Sequence, residues 1–142
     1  MHDIKFIREN SKLFDKGMKD RGIHSCSEEI LFIDNIVREN KSKIQDLQHE
    51  RKEIAKQISS IHHEDERFKI LQERGYDIKH KLHILEEQKN EAQEKLNNFL
   101  ITLPNIPEEG VPYGEKEEDN KIIKKFGEPR YYDFAVRSHY DI

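Results

Sequence analysis

Apolar residues recur along most of the chain at alternating steps of three and four, the spacing of the buried seam of a coiled coil. A first series, apolar at eight of its ten positions, comprises Ile30, Ile33, Val37, Asn40, Ile44, Leu47, Arg51, Ile54, Ile58 and Ile61. A second series, interrupted at two positions, comprises Phe68, Leu71, Gly75, Ile78, Leu82, Leu85, Lys89, Ala92, Leu96, Phe99 and Leu103. The pattern predicts two long amphipathic helices, each of which needs a partner along its apolar face.

The two helices can pair with each other, because residues 62–67 between them are few and polar, as in a helix-to-helix turn. If the chain folds back there, residues of the two series lie opposite each other, and the numbers of each pair sum to 129. Ten layers match in this way, among them Leu47 opposite Leu82, with the turn centred on Glu64 and Asp65. The periodicity therefore predicts an antiparallel hairpin with one register.

Two layers of this register are unusual in composition. Asn40 lies opposite Lys89, and a polar pair inside a seam fixes the register at some cost in stability. Gly75 lies opposite Ile54, so a large side chain is expected to fill the space that the glycine leaves.

The first 22 residues predict one or two short helices with a shared apolar face. Ser11 is placed to cap the second of them and Gly22 to end it, while Ser25 with Glu28 resembles a capping box at the start of the first long helix. The base of the hairpin is the nearest surface that can cover the apolar face, which comprises Ile4, Ile7, Leu13, Phe14 and Met18.

The chain changes character after Leu103, because Pro104 and Pro107 stop the second long helix. The remaining residues combine glycines, prolines and acidic clusters with two short β-like runs, at 121–126 and 131–134. A segment of about 35 residues rarely forms a core alone. We therefore expect either the start of a following domain or a partly ordered extension.

Together these patterns predict an all-α fold: a long antiparallel two-helix coiled-coil hairpin with short N-terminal helices at its base and an irregular or β-like C-terminal tail. The expected organisation is an N-terminal domain over residues 1–103, followed at 104–142 by a linker and the start of a further domain. Within the first domain we expect short helices at 1–24, the first arm helix at 27–61, the tip turn at 62–67 and the second arm helix at 68–103.

The composition suits an extended hairpin better than a compact globule, with 34% hydrophobic and 38% charged residues among 142 and a net charge of −4. A two-helix hairpin buries only its seam, so most of its surface is solvated. The N-terminus carries charges every few residues, which excludes a secretory signal and a membrane-spanning helix there. The single Cys26 cannot form an internal disulfide, and these features together favour a reducing, cytoplasmic setting.

No stretch of the sequence matches a nucleotide-binding loop, and no nucleophile stands beside a suitable base. We therefore expect no catalytic residue and no bound cofactor among these residues. His80 with His83, and His62 with His63, have spacings that metals use. The register places the first pair on an outer face and no cysteine joins it, so a solvated surface is the favoured interpretation.

Basic residues along the shaft of the hairpin give a fuller signal. The register brings cations of both helices to similar levels, where they form a collar that can hold phosphates, with binding that weakens in salt. A solvated face with compensating charges is the alternative, because the net charge of the chain is negative. The collar consists of Arg51, Lys52, Lys56, Lys79 and Lys81.

Several short motifs occur in a fixed order around the hairpin. Arg21-Gly22 precedes it, and Glu50-Arg51 and Lys56 lie in its first helix. The others are Asp3-Ile4-Lys5, Ile7-Arg8-Glu9-Asn10, Leu103-Pro104-Asn105-Ile106-Pro107, Val111-Pro112, Gly114, Asp119-Asn120, Gly127-Glu128-Pro129, Phe134, His139 and Asp141. In this order the motifs resemble the N-terminal part of bacterial seryl-tRNA synthetases, and the resemblance covers the whole chain.

The resemblance implies an arm that binds the long variable arm of tRNA(Ser) and presents the acceptor end to a class II catalytic domain beyond residue 142. RNA duplexes are read largely through shape and backbone, so a few positioned cations suffice. By matching positions, Arg51 and Lys56 carry over as RNA contacts, whereas Lys79 and Lys81 follow only from the register. The family also implies a serine–tRNA ligase that uses ATP and Mg in that further domain, a homodimer formed mainly through it, and neither a membrane nor a DNA partner. The 142 residues alone would then be inactive.

Two other classes of protein stay open. A free-standing coiled-coil adaptor or chaperone-like tentacle without RNA binding would explain the hairpin equally well, but not the tail with its ordered motifs. A metal-binding helical hairpin is the third possibility, and a metal assay on the purified chain would test it.

Overall fold

The computed structural model describes residues 2–62, 65–114 and 116–140. The chain divides into two units, residues 1–109 and residues 110–142. The first unit contains the helices α1 (Ile4–Glu9), α2 (Ser11–Lys19), α3 (Ser27–Ser59) and α4 (Glu66–Thr102). The long helices α3 and α4 have 33 and 37 residues, so they are about 50 and 55 Å long at ~1.5 Å per residue. They pack against each other as the predicted antiparallel hairpin.

Side-chain contacts across the hairpin agree with the predicted register. A methyl group placed on the Cα of Gly75 would lie 4.0 Å from Cγ2 of Ile54, so these two residues lie opposite each other as expected. Leu47 packs against the buried cluster that contains Leu82. Asn40 is buried inside the seam, with 7% of its surface exposed.

The segment between the two long helices, residues 60–65, has the predicted length of six residues but lies two residues earlier in the chain. α3 ends and α4 begins two residues before the expected limits. Asp65 accounts for the earlier start of α4, because its Oδ1 accepts a hydrogen bond from the backbone N–H of Arg67 at 2.9 Å and caps the helix. Glu64, the other residue of the predicted turn centre, lies outside the described residues.

The helices α1 and α2 pack over the base of the hairpin, as their apolar face predicts. Ile7, Phe14 and Met18 are fully buried there in one cluster with Ile30 of α3. Leu100 of α4 belongs to the same cluster although it lies outside the predicted seam. It is buried because the short helices cover that flank of the hairpin as well as its end.

The N-terminus of α3 is capped by a side chain of α2. Asp15 Oδ1 accepts hydrogen bonds from the backbone N–H groups of Cys26 at 3.1 Å and Ser27 at 3.0 Å, and its Oδ2 accepts the Ser27 hydroxyl at 2.6 Å. The predicted capping box of Ser25 and Glu28 is therefore wrong. The helix begins at Ser27, and the backbone N–H groups of Cys26 and Ser27 already have Asp15 as their acceptor.

The two ends of α2 differ in how well the sequence predicted them. Ser11 is the first residue of the helix and Asn10 precedes it without a side-chain cap, so the predicted role of Ser11 is wrong. Gly22 closes the other end as expected. Its φ is 73°, and the chain turns there so that the N–H of Ile23 donates to the carbonyl of Met18 at 2.9 Å.

An ion pair fixes α1 on α3. Arg8 donates from Nε and Nη2 to the two carboxylate oxygens of Asp34, both at 2.7 Å, a bidentate geometry that also sets orientation. These hydrogen bonds raise the pKa of Arg8. The side chain of Asp34 is 6% exposed and that of Arg8 36%, so the carboxylate is the buried partner.

The second unit, residues 110–142, has little regular structure in its described part. A short 3-10 turn, Glu117–Asp119, is the one helical element there. The β-like runs at 121–126 and 131–134 form no strand among the described residues, since a strand needs a neighbour for its backbone groups. Large apolar side chains are exposed, including Ile123, Phe126 and Tyr131. In neither unit does a described helix have the length and apolar composition needed to cross a bilayer.

Candidate nucleic-acid interface

The five cations predicted from the sequence all lie in the distal half of the hairpin and are all exposed. Arg51, Lys52 and Lys56 belong to α3, and Lys79 and Lys81 belong to α4. The observed register places them at similar heights along the shaft. The five cations therefore lie at similar heights along the hairpin, but their side chains lie on different sides of it.

The hairpin has two flanks, one on each side of its seam, and an ion pair shows which residues share a flank. Arg74 Nε donates to Glu50 Oε1 across the seam at 2.7 Å. In heptad notation the seam residues alternate between positions a and d, with Arg51 and Gly75 at position a. Glu50 and Arg74 each precede a residue at position a, so both occupy position g. The g positions of the two helices therefore share one flank, and the e positions share the other.

The five cations consequently do not form one surface. Lys79 at position e and Lys81 at position g are two residues apart, roughly 200° around the helix axis at ~3.6 residues per turn. They point to opposite flanks. Lys52, at position b, lies on the flank of Lys79. A single surface made of all five collar cations is incompatible with this geometry.

Arg51 and Lys56 differ from the other three. Lys56 lies on the outer face of α3 and donates from Nζ to Glu53 Oε1 at 2.6 Å, a hydrogen bond that lowers the pKa of Glu53. Arg51 occupies a seam position opposite Ile78, yet Arg51 is exposed while Ile78 is buried. We infer that its aliphatic stem covers the seam while the guanidinium reaches solvent.

Four of the five cations are available to an external anion. Within the described part of the chain, Arg51, Lys52, Lys79 and Lys81 form no ion pair, in contrast to Lys56. Exposed cations of this kind bind phosphate oxygens of nucleic acids without first giving up a partner in the protein.

The histidines of α4 and Cys26 are the other candidate chemical side chains of the hairpin and its base. On the outer face of α4, His83 Nδ1 lies 3.4 Å from Glu87 Oε2, beside a shallow groove of about 370 Å³ that His80 also lines. No group of three or more His, Cys, Asp or Glu among the described residues is placed to hold a metal ion. His63, from the other histidine pair, lies outside those residues. Burial raises the pKa of Cys26, which disfavours the reactive thiolate.

Tyr76 is a further candidate that sequence reasoning missed. Its side chain is 72% exposed, one turn from Lys79 on the same flank. Exposed aromatic rings stack on unpaired nucleobases, so this residue suits an RNA surface. Tyr76 occupies position b, where packing in the seam does not require an aromatic residue. That unexplained aromatic residue is the feature of the sequence that could have indicated a binding role. The exposed cations Arg38, Lys41 and Lys69 were also missed.

Comparison with known proteins gives a consistent result. Residues 1–107 match the family model described as the seryl-tRNA synthetase N-terminal domain. The serine–tRNA ligase of Zymomonas mobilis is 36% identical over 143 residues, which cover 99% of this chain and 34% of that protein. The serine–tRNA ligase of Rickettsia africae is 40% identical over 129 residues, which cover 90% of this chain and 30% of that protein.

A solved structure is also similar. The crystal structure of seryl-tRNA synthetase from Pyrococcus horikoshii complexed with ATP has a TM-score of 0.76 and 34% sequence identity. The match covers 84% of this chain and 27% of that one. The chain spans about a third of the length of the curated relatives it matches.

Proposed function

The chain belongs to the seryl-tRNA synthetase N-terminal domain family, and on this basis we propose that its α3–α4 hairpin is a tRNA-binding arm. The arm holds the long variable arm of tRNA(Ser), so that the acceptor end reaches a catalytic domain that attaches serine. Family membership over residues 1–107 is the observation that carries this proposal.

The geometry supports an RNA ligand. A hairpin about 50 Å long reaches well beyond its own base, and it carries exposed cations that have no carboxylate partner among the described residues. Proteins recognise RNA duplexes mainly through backbone and shape, for which a few positioned cations suffice. The net charge of −4 is no obstacle, because the positive charge that matters is local.

The base of the hairpin supports a positioning role. The apolar cluster around Phe14, the bidentate pair of Arg8 with Asp34 and the Asp15 cap all tie the short helices to the arm. An arm that starts from such a packed base holds a fixed direction near that base. Bound RNA would therefore be presented in a defined orientation.

The chemical step belongs to the whole protein in this proposal. The relatives are named serine–tRNA ligases, and the similar solved structure contains ATP, which supports an ATP-dependent ligase. The family resemblance implies that such a ligase belongs to class II. We extend the family pattern to Mg and to a homodimer formed through the catalytic domain. The residues described here bind and orient RNA, and they supply no catalytic side chain.

The test is a binding titration of the 142-residue chain with fluorescently labelled tRNA(Ser) and with the same tRNA carrying a shortened variable arm. We expect clearly tighter binding of the long-armed tRNA, with an affinity that falls steeply as salt rises. Equal affinity for the two RNAs would refute recognition of the variable arm. No binding of either RNA would instead favour the coiled-coil adaptor.

A further inference from the structure

We propose that the arm binds RNA through one flank only, the basic flank, formed by positions b and e of both long helices. This inference rests on the proposed function and specifies the surface that performs it. The cations of the basic flank are Arg38, Lys41, Lys52, Lys69 and Lys79. The acidic flank is the opposite one, formed by positions c and g, and includes the ion pair of Glu50 with Arg74.

The two flanks differ in the sign of their charge. Among the described helical residues between 38 and 93, the basic flank combines its five cations with a single carboxylate, Glu86. The acidic flank has four cations, Lys43, Arg67, Arg74 and Lys81, against six carboxylates, Glu39, Asp46, Glu50, Glu53, Asp77 and Glu91. One flank thus attracts a polyanion while the other repels it.

The cations of the two flanks also differ in their engagement. On the acidic flank, two of the four cations are engaged, since Arg74 is held by Glu50 and Arg67 donates from Nη2 to Asp65 at 2.8 Å. Lys43 and Lys81 form no ion pair with a described carboxylate, so they differ from the basic-flank lysines in the sign of the surrounding charge. On the basic flank, no cation forms an ion pair with any described carboxylate. Its five cations can therefore bind phosphates without breaking an ion pair to a described carboxylate.

Uncharged side chains on the basic flank also suit RNA. Tyr76 offers an exposed ring for stacking one turn from Lys79 and close to the level of Lys52. Around the cations lie amide side chains, which donate and accept hydrogen bonds to ribose hydroxyls and phosphates. These amides are Gln45, Gln48, Gln72, Asn90 and Gln93. The acidic flank has fewer amides, Gln57 and Gln88, and it also exposes Ile70 and Ile84, which offer no such hydrogen bonds.

The basic flank is long enough to contact several phosphates. Lys69 lies opposite residue 60 in the register, so the cations extend over the levels of residues 38 to 60 of α3. At ~1.5 Å per residue this distance is roughly 33 Å. Charge sign, free cations and hydrogen-bonding side chains therefore coincide on one continuous surface.

The register offers a closely matched pair of variants to test this assignment. Lys41→Gln with Lys79→Gln removes two cations from the basic flank, and Lys43→Gln with Lys81→Gln removes two from the acidic flank. Each pair lies two residues from its counterpart, all four lysines are exposed, and both variants change the net charge equally. Circular dichroism melting of both variants checks that the hairpin is intact.

We expect the basic-flank variant to bind tRNA(Ser) more weakly than wild type. The slope of log affinity against log salt should become shallower by about 1.4 to 1.8, at ~0.7 to 0.9 for each lost phosphate contact. The acidic-flank variant should keep the affinity and slope of the wild-type chain.

Four outcomes would overturn the inference. An equal loss in both variants, or a larger loss in the acidic-flank variant, would refute the single basic flank while the proposed function stands. Unchanged binding in the basic-flank variant would do the same. Failure of the wild-type chain to prefer long-armed tRNA would remove the proposed function, and the inference with it.

Discussion

Replacing Gly75 by alanine tests the register of the hairpin through its stability. Gly75 lies in the middle of α4, where glycine costs about 0.8 to 1 kcal/mol relative to alanine in helix propensity. The added methyl group would meet Ile54 Cγ2 at 4.0 Å, an ordinary contact that requires no movement. Partial burial of that methyl adds roughly 0.4 kcal/mol, half of the ~0.8 kcal/mol for a fully buried CH₂ group. Gly75→Ala should therefore stabilise the chain by about 1 to 1.5 kcal/mol.

Urea unfolding followed by circular dichroism at 222 nm measures this change. We expect a higher midpoint with an unchanged m value, and a melting temperature raised by roughly 3 to 8 °C for a unit of this size. Destabilisation by Gly75→Ala would show that the space opposite Ile54 is not open. In that case the register derived from the sequence would be wrong.

Two other glycines serve as controls with the opposite sign. A methyl group at Gly17 would lie 2.8 Å from Cγ2 of Ile106, so Gly17→Ala should destabilise the base. Gly17→Ala should cost less stability in the Ile106→Ala variant than in wild type, because the side chain that the new methyl group meets has been shortened. Gly22 has a φ of 73°, where a side chain costs roughly 1 to 2 kcal/mol, so Gly22→Ala should also destabilise. A general preference for alanine would instead stabilise all three.

The base of the arm leads to two further predictions. Burial alone would raise the pKa of Asp15, but hydrogen bonds from Ser27 and Cys26 outweigh it and lower the pKa. The pKa of Asp15 is lower in the folded state than in the unfolded state, where it is about 3.9. Asp15 therefore contributes its full stability above the unfolded-state pKa, and this contribution is lost as the pH falls through the folded-state pKa. Unfolding of Asp15→Asn between pH 7 and pH 2.5 should show a smaller acid loss than wild type, and an identical loss would contradict the capping role. Arg8→Ala should cost about 3 kcal/mol and Asp34→Ala about 1 to 2 kcal/mol in urea, because the first leaves a buried carboxylate unpaired and the second leaves an arginine that water reaches. The reverse order would contradict the burial that we describe.

The hairpin could be predicted from the sequence because its contacts follow from one repeating interval. Once the turn is placed, every layer from Ile61 opposite Phe68 to Ile30 opposite Phe99 follows from the same arithmetic. The opposite directions of Lys79 and Lys81 follow from the same periodicity. Pairing residues across the seam gives only their height along the hairpin, whereas their heptad positions also give the flank on which each lysine lies.

Other features depend on where separate segments meet, and no local pattern shows this. Asp15 caps α3 only because α2 lies beside the start of that helix, so the nearer Ser25 was a misleading candidate. Leu100 is buried because the short helices cover a flank that the hairpin alone would leave open. The β-like run at 121–126 has strand-forming residues, but strand formation also requires a neighbouring strand.

Site-directed crosslinking tests the central claim, that the arm holds the variable arm of tRNA(Ser) on its basic flank. Gln45 and Asp46 are adjacent exposed residues at positions b and c, so they lie on the basic and acidic flanks respectively. A photoreactive amino acid is placed at each position in turn in the 142-residue chain, and crosslinked nucleotides are mapped by reverse transcription. We expect crosslinks from position 45 to the variable arm and few from position 46. Crosslinks mainly from position 46, or from position 45 to parts of the tRNA other than the variable arm, would contradict it.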